Sequence, residues 1–267
     1  MLTLNGKVVN IGSFPDGSML LKEEVPNREA YIEWFYENDR EFLALIYLTK
    51  HLQSNGMNHI KLWMPYIPNA RQDRVKDDDD VFTLKYFAEI INSLKFDSVI
   101  VFDPHSSVSE ALINNIVVVN PQEHIHMVIK KIDIDYDSYF HADGLIFYPD
   151  SGAAKRYSGM ISLPYAYGSK NRDWKTGKII GLDVITNDND LTDRDILIVD
   201  DICSYGGTFL HSARKLKELG ANDIYLYVSH CENSILDGEL INSGLIKKIY
   251  TTDSLFTKKH DLIEVLK

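Results

Sequence analysis

The sequence predicts an α/β protein of two domains, each a mainly parallel sheet flanked by helices. Apolar strand-like runs alternate with amphipathic helical stretches along most of the chain, which is typical of parallel α/β sheets. With 267 residues, the chain is long enough for two domains of ordinary size. Both halves also contain a strand that ends in an acidic residue, VIVFDPH at 99–105 and ILIVDD at 196–201, so the same architecture recurs.

The elements follow in order from periodicity and stop signals. A helix is predicted over residues 40–56, because apolar residues recur at the helical period up to Gly56. The same criteria predict, in chain order, a strand at 59–67, a helix at 80–95, a strand at 97–105, a helix at 126–132, strands at 144–150, 160–167 and 196–201, a helix at 211–220 and a strand at 224–230. We expect domains at 1–125 and 126–254, with residues 255–267 as a segment that could pack back on the first domain.

Composition excludes several classes of protein. Hydrophobic residues make up 45% and charged residues 25% of the chain, as in soluble globular proteins. No apolar run approaches the roughly 18 residues that suggest a membrane span, and the N-terminus lacks a signal-peptide layout. The two cysteines have no metal-ligand spacing, which favours a reducing cytoplasm. A net charge of -11 argues against nucleic-acid binding.

One stretch carries the clearest chemistry, ILIVDDICSYGGTF at 196–209. A strand followed by glycines and a helix N-terminus presents backbone N–H groups to an anion, and the helix dipole favours negative charge there. Gly206 and Gly207 permit close approach of the backbone, and Thr208 offers a hydroxyl. Asp200 and Asp201 are then acceptors for sugar hydroxyls beside a bound phosphate. The alternative is that these aspartates are capping or turn residues.

VDDICSYGGT resembles the phosphoribosyl-binding loop of type I phosphoribosyltransferases. Other motifs select one branch of that superfamily, the synthetases of phosphoribosyl pyrophosphate (PRPP). These motifs are FPDGS at 14–18, PYIPNARQDR at 65–74, DPH at 103–105, PDSGAAKR at 149–156, KNR at 170–172 and the tail from 227 to 255. The resemblance covers nearly the whole chain with the motifs in order, and implies two phosphoribosyltransferase-like domains, the first binding ATP and the second the phosphoribosyl group.

The resemblance implies that the arginine-rich segment contacts ATP. Arg71 and Arg74 can offer planar forks to phosphate oxygens. Gln72 and Asp73 would position the nucleotide, and His105 would bind Mg²⁺ or a nucleotide phosphate. As isolated residues, the arginines would be ordinary surface side chains, and His105 a turn residue.

The N-terminal loop is implied to act across a subunit boundary. Phe14 and Asp16 would contact adenine in a neighbouring copy, which implies a homo-oligomer. An equally natural interpretation of FPDG is a plain β-turn. The acidic run from Asp77 to Asp80 is expected to be a solvated loop, with Asp80 capping the next helix.

Metal and lid residues are implied in the same way. Asp150, at a strand end, is the better ligand for Mg²⁺ because this ion prefers carboxylate and phosphate oxygen, and His105 is the second candidate. Lys170 and Arg172 fall where the family has its mobile catalytic loop, and would stabilise the transferring group. A solvated basic loop is the alternative for these two residues.

The phosphate loop departs from the family pattern. The family has Asp-Thr before the glycine pair, where this chain has Ser204 and Tyr205. Those positions normally bind the terminal 5-phosphate of ribose 5-phosphate. A tyrosine could clash there or stack on a base. Some virus-encoded relatives act on ADP-ribose, whose 5-phosphate is not terminal, and Tyr205 suits such an acceptor.

The implied activity is transfer of the β,γ-pyrophosphoryl group of ATP to the anomeric hydroxyl of a ribose 5-phosphate moiety, with release of AMP. The acceptor is ribose 5-phosphate, giving PRPP, or ADP-ribose, giving a product that would feed NAD synthesis. Two other classes stay open. A PRPP-consuming phosphoribosyltransferase would share the phosphate loop but not RQDR, and a non-catalytic regulatory relative would lack the catalytic cations.

Overall fold

The structure, a computed structural model, describes residues 1–132, 144–172, 179–186 and 190–267, with the backbone alone described at 170–172 and 179–182. The chain forms two compact units, Met1–Asn120 and Pro121–Lys267. The unit boundary thus lies five residues before the expected one.

The first unit is a six-stranded sheet with helices and a separate hairpin. Its elements are β1 (Leu2–Leu4), β2 (Lys7–Val8), β3 (Ile11–Ser13), β4 (Met19–Leu21), β5 (Ala30–Trp34), α1 (Asp39–Ser54), β6 (Ile60–Trp63), α2 (Thr83–Ser93), β7 (Ser98–Phe102), α3 (Ser107–Leu112) and β8 (Ile116–Val119). The strand order is β2-β1-β5-β6-β7-β8, and β5 to β8 run parallel. The hairpin β3–β4 is a two-stranded sheet of its own.

Local signals explain where the first helix begins and ends. Asn38 caps α1, because its side chain accepts a hydrogen bond from the backbone N–H of Glu41. Glu41 is buried and also accepts from the Trp34 indole at 3.1 Å, which ties the helix start to β5. The chain leaves the helix through Gly56, whose φ of 84° is in the left-handed region.

The second unit is a seven-stranded sheet. Its elements are α4 (Gln122–Lys131), β9 (Leu145–Tyr148), α5 (Ser151–Tyr157), β10 (Tyr165–Arg172), β11 (Ile179–Thr186), β12 (Ile196–Cys203), α6 (Gly207–Glu218), β13 (Ile224–Cys231), β14 (Lys248–Thr252) and β15 (Ile263–Leu266), with two short 3₁₀ helices at Asn233–Asp237 and Leu240–Asn242. The strand order is β11-β10-β9-β12-β13-β14-β15. All neighbours are parallel except β10 and β11, which are antiparallel.

The central strand β12 is apolar on both faces because helices cover both sides of the sheet. Ile196 and Ile198 join the core that includes α6, whereas Leu197 and Val199 join the core that includes α4 and α5. Successive side chains of a strand point to opposite faces, so one uninterrupted apolar run supplies both cores. The strand stays buried until it reaches its two aspartates.

Three expectations from the sequence need correction. Residues 263–266 belong to the second unit: β15 pairs with β14 there, and Ile263 and Leu266 complete its apolar cores. The backbone of 170–172 is not a loop but the end of strand β10, which pairs with β11. Asp80 does not cap α2; it accepts from the backbone N–H groups of Lys76 and Asp77 within its own turn, and the helix begins at Thr83.

Candidate active site

The phosphate loop is a tight turn between β12 and α6. Gly206 has a φ of 80° and immediately precedes α6, and a Cβ at this position would lie 2.7 Å from the Leu240 side chain. Glycine is therefore required both by the backbone conformation and by space. Gly207 and Thr208 are exposed, and no side chain caps the helix. The start of α6 is consequently open to an anion.

A second glycine supports this loop from behind. A Cβ on Gly238, in the segment between the two 3₁₀ helices, would lie 2.0 Å from the backbone carbonyl oxygen of Tyr205. Leu240, which lies against Gly206, follows two residues later as the first residue of the second 3₁₀ helix. The loop conformation is thus set by residues 238–240, which sequence reasoning missed. Their only local signal is a glycine in a turn-like LDGEL sequence.

The two aspartates of β12 differ in their surroundings. The Asp201 carboxylate is nearly buried: its Oδ2 lies 3.0 Å from Nη1 of Arg156, and its Oδ1 accepts from the backbone N–H of Ile202 at 2.9 Å. Asp200 is half-buried, and its Oδ1 accepts from the backbone N–H of Asp201 at 3.0 Å. The structure therefore brings together the predicted sugar-binding carboxylates and Arg156, the last residue of the PDSGAAKR motif.

Burial is the main cause of an elevated pKa at Asp200. The neighbouring carboxylate of Asp201 raises this pKa further, and Asp150 adds a smaller contribution. Three carboxyl groups thus repel one another at the carboxyl ends of β9 and β12. Like charges gathered in a partly buried site are typical of functional sites, because a cation or hydroxyl donors of a ligand can relieve the repulsion.

Asp150 follows β9 and caps α5. Its Oδ1 accepts hydrogen bonds from the backbone N–H groups of Gly152 at 3.0 Å and Ala153 at 3.1 Å. These bonds fix the carboxylate at the strand end, where the sequence predicted a metal ligand. The other predicted ligand, His105, belongs to the first unit. Within the parts of the chain that the structure describes, no group of three or more His, Cys, Asp or Glu side chains is arranged to hold a metal.

Tyr205 is 61% exposed, whereas Ser204 is half-buried. A Tyr205 ring that packed on α6 would be hidden from solvent. The observed exposure of the ring does not favour such packing. The ring is accessible to a ligand that occupies the loop, and an accessible aromatic face can stack on a base.

The predicted ATP segment gathers around one buried carboxylate in the first unit. Asp73 is buried and receives two hydrogen bonds from Arg74, at 2.7 and 3.0 Å. These bonds are the largest cause of a lowered pKa at Asp73, and the Ser106 hydroxyl and His105 contribute in the same direction. The structure thus brings Asp73, Arg74 and His105 together. Arg74 directs its fork at Asp73, and its predicted contact with ATP stays a prediction.

Two other predicted ATP residues flank this cluster in sequence. Gln72 accepts a hydrogen bond from the hydroxyl of Thr83 at 2.8 Å, and its backbone carbonyl accepts from Leu84. It therefore anchors the segment to the start of α2. Arg71 is exposed. Both arginine hydrogen bonds to Asp73 described above come from Arg74 and not from Arg71.

Phe14 and Asp16 lie in the turn of the β3–β4 hairpin. Asp16 accepts from both the backbone N–H and the hydroxyl of Ser18, which lowers its pKa, and Gly17 has a φ of 84°. The local geometry is that of the plain β-turn alternative, but the Phe14 ring is 49% exposed. The turn therefore presents an aromatic side chain to solvent. The predicted contact with adenine in a neighbouring copy stays a prediction.

Lys170 and Arg172 lie at the end of β10, in register with β11. Their side chains fall outside the described residues, and their predicted catalytic role stays a prediction. Among the described helices, none combines the length and the apolar character that crossing a bilayer requires.

The fold and the loop define a class: two phosphoribosyltransferase-like α/β units, the second with an aspartate-tipped strand that turns through glycine into a helix. No protein-family model matches the chain. It is similar to the ribose-phosphate pyrophosphokinase of Pyrococcus abyssi, with 29% identity over 244 residues, which is 86% of this chain and 79% of the relative. The enzyme of the same name from Sulfurisphaera tokodaii is 28% identical over 256 residues, 91% of this chain and 82% of the relative.

The fold comparison agrees. A crystal structure of phosphoribosylpyrophosphate synthetase from Mycobacterium smegmatis superposes with a TM-score of 0.79, covering 97% of this chain and 85% of that chain at 18% identity. The predicted fold class and the resemblance to PRPP synthetases are confirmed. The chain is thus similar in sequence to ribose-phosphate pyrophosphokinases and similar in fold to a phosphoribosylpyrophosphate synthetase.

Proposed function

We propose that this protein is an ATP-dependent diphosphotransferase that moves the β,γ-pyrophosphoryl group of ATP to the anomeric hydroxyl of a ribose 5-phosphate moiety and releases AMP. The observation that carries the proposal is the loop at 204–208, where the open start of α6 stands beside two aspartates on β12. Relatives that match most of the chain are named ribose-phosphate pyrophosphokinase. The motifs that distinguish them from PRPP-consuming enzymes are present.

The second unit supplies the acceptor site. Backbone N–H groups at Gly207 and Thr208 bind the 5-phosphate, with help from the helix dipole. Carboxylate oxygen at the end of β12 accepts hydrogen bonds from the sugar hydroxyls. Because residues 238–240 pack closely against the loop at Tyr205 and Gly206, the loop can hold the anomeric hydroxyl in one place. Positioning of this kind is the main source of rate in phosphoryl-type transfer.

The first unit supplies the donor site. Arg71 and His105 neutralise phosphate oxygens, while Arg74 and Asp73 hold the segment in shape. Lys170 and Arg172 stabilise the negative charge on the pyrophosphoryl group during its transfer. No covalent intermediate with the protein is required.

Mg²⁺ bound to the phosphates of ATP would neutralise the charge that develops during transfer. Asp150 is the residue that we expect to reach this ion, because carboxylate oxygen suits Mg²⁺. The lack of a three-ligand cluster in the described residues fits this ion, which keeps several waters and is bound through one or two carboxylates plus substrate phosphates.

The acceptor is ribose 5-phosphate or ADP-ribose. The exposed ring of Tyr205 favours ADP-ribose, because the ring can stack on the adenine or lie along the diphosphate that continues from the 5-phosphate. A terminal 5-phosphate gains nothing from the ring. Ser204 and Tyr205 are also the two positions at which the loop departs from the family pattern.

Mass spectrometry of products tests the activity. The protein is incubated with ATP, Mg²⁺ and either ribose 5-phosphate or ADP-ribose, and AMP is measured together with the pyrophosphorylated sugar. We expect AMP and sugar product in equal amounts with at least one acceptor. A further mixture contains PRPP and a nucleobase in place of ATP. Consumption of PRPP there, with no AMP formed in the ATP mixtures, would instead indicate a phosphoribosyltransferase. No turnover in any mixture would indicate a non-catalytic relative.

A double substitution tests the acceptor preference. Ser204→Asp with Tyr205→Thr restores the family pattern and should shift the ratio of kcat/KM values toward ribose 5-phosphate by about 2- to 12-fold, the equivalent of one aromatic stacking interaction of about 0.5–1.5 kcal/mol. An unchanged ratio would show that Tyr205 does not contribute to the choice between the two acceptors.

We also propose a homo-oligomer in which Phe14 of one copy contacts ATP bound by its neighbour. Light scattering gives the mass in solution, and Phe14→Ala should raise the KM for ATP without changing the KM for the sugar phosphate. A fully active monomer would refute this arrangement.

A further inference from the structure

The carboxylates of Asp200 and Asp201 are adjacent in sequence but are not equivalent in the structure. The Asp201 side chain is only 8% exposed, and both of its oxygens have donors, Arg156 on Oδ2 and the Ile202 N–H on Oδ1. Asp200, at the same strand end, is less buried than Asp201. A sugar diol can therefore reach Asp200, whereas it would have to displace existing hydrogen bonds to reach the oxygens of Asp201.

Arg156 is held in place for this contact. It lies in the last turn of α5, and its guanidinium is centred 5.6 Å from the ring centroid of Tyr157, whose hydroxyl lies 3.4 Å from Nη1. The Arg156 side chain is 23% exposed. A guanidinium held over an aromatic ring and near its hydroxyl has fewer alternative conformations than a free one, so these contacts restrict the direction from which Asp201 is bound.

The local charge explains why a cation is needed at this place. Asp150, Asp200 and Asp201 are close enough to influence one another, and all three carry negative charge when ionised. A buried carboxylate without a paired charge is strongly unfavourable. The ion pair with Arg156 offsets the charge on Asp201, and it lets the end of β12 retain the second carboxylate that the sugar requires.

We propose that Arg156 is a positioning residue of the acceptor site: it holds Asp201 in place at the end of β12, and Asp200 is the carboxylate that binds the sugar hydroxyls. This inference rests on the proposed function, because it assigns roles within that site. It differs from the sequence-based expectation that both aspartates hold the diol. Arg156 itself touches neither the sugar nor the pyrophosphoryl group in this arrangement.

Substitutions at the ion pair separate positioning from contact. Arg156→Met removes the charge and keeps a stem of similar length, Asp201→Asn removes the partner charge, and the double variant leaves a neutral pair that can fold without a buried unpaired charge. We expect each single variant to raise the KM for the sugar phosphate about 10- to 100-fold, as loss of about 1 Å in positioning does, with the KM for ATP within about twofold of wild type.

Non-additivity is the decisive readout. If Arg156 acts only through Asp201, the double variant should lose no more acceptor affinity than Asp201→Asn alone. Asp200→Asn should weaken the acceptor more than either. Arg156→Lys, which keeps the charge but loses the planar fork, should fall between wild type and Arg156→Met.

Lys131→Met is the matched control. Lys131 forms an ion pair with Glu264 at 2.8 Å in the same unit, but both side chains are exposed, at 43% and 37%. Exposed pairs of this kind contribute little, so this variant should keep both KM values. Thermal denaturation of every variant confirms that the folded state is being compared.

The outcomes distinguish the two proposals. Wild-type protein that binds no sugar phosphate by calorimetry and forms no AMP would refute the proposed function, and this inference with it. An active wild type with an unchanged acceptor KM in Arg156→Met would refute the inference alone. So would a double variant whose losses add, because additive losses would show that Arg156 contacts the ligand independently of Asp201.

Discussion

A single methyl group on Gly238 should disable the acceptor site. The Cβ of Gly238→Ala would lie 2.0 Å from the carbonyl oxygen of Tyr205, whereas such contacts are essentially never shorter than 3.0 Å. The peptide of Tyr205 therefore has to retreat by about 1 Å. The positions of both the Cβ atom and the carbonyl oxygen are fixed by the backbone, so rotation of a side chain cannot relieve the clash. Because a misplacement of about 1 Å at a reacting centre can lower the rate about 10²-fold, kcat/KM for the sugar phosphate should fall by about that factor.

The assay is AMP release at varied acceptor concentration, with binding of the sugar phosphate measured by calorimetry. Gly159→Ala is the matched control: it lies in the same unit, has no positive φ, and its added Cβ would meet nothing within 4 Å. The control should behave as wild type in both measurements. A folded Gly238→Ala protein with wild-type kcat/KM would show that the segment behind the loop yields, and that it does not set the loop geometry.

Three further experiments test separate features of the site. Lys170→Ala and Arg172→Ala should each lower kcat by about 10²-fold with ATP binding kept; near-normal turnover of both would remove them from the mechanism. A chelator should abolish activity until Mg²⁺ is restored, and Asp150→Asn should raise the Mg²⁺ concentration needed for half-maximal rate; full activity in excess chelator would contradict a metal-bridged ATP. Burial and neighbouring carboxylates raise the pKa of Asp200, so the stability that its proton provides is lost as the pH rises through the folded-state pKa. Asp200→Asn should therefore raise the unfolding free energy near neutral pH by about 0.5–2 kcal/mol, measured by chemical denaturation, while the exposed control Asp261→Asn leaves it unchanged.

The sequence predicts the central elements of both units well, for a physical reason. β12 and β13 are buried along most of their length, so apolar residues run without interruption and polar residues mark the ends. Predicted strands were less accurate where the pattern continued across a break. The expected strand at 160–167 begins only at Tyr165, directly after Pro164, because proline has no N–H to donate to a sheet.

The short strands at the start of the chain escaped prediction. β2 has two residues and β1 and β3 have three each, which is too few for an alternating pattern to emerge. Strand β15 was not predicted for a different reason. Its four residues are apolar enough to belong to either unit, and only the pairing of β14 with β15 decides between them.

The candidate site shows the same division between local and long-range information. Asp200, Gly206 and Thr208 belong to one contiguous motif, and each has a chemical reason to be there. The partners that constrain them do not. Arg156 meets Asp201, and Gly238 meets the carbonyl of Tyr205, only after helices and strands far apart in the chain have packed together. No local pattern in the sequence could link those pairs.

These constraints follow from the kind of reaction proposed. A transfer that needs no covalent intermediate depends on holding two charged substrates in register, so its rate is sensitive to any group that fixes the site, whether or not the group touches a substrate. Gly238 fixes the loop by excluding every side chain, and Arg156 fixes the strand end by pairing one carboxylate. Asp200 contributes in the opposite sense, because its partly buried charge works against folding. The unit keeps this charge where the two positioning residues can restrain it, and substitutions at Gly238 and Arg156 should therefore reduce acceptor use.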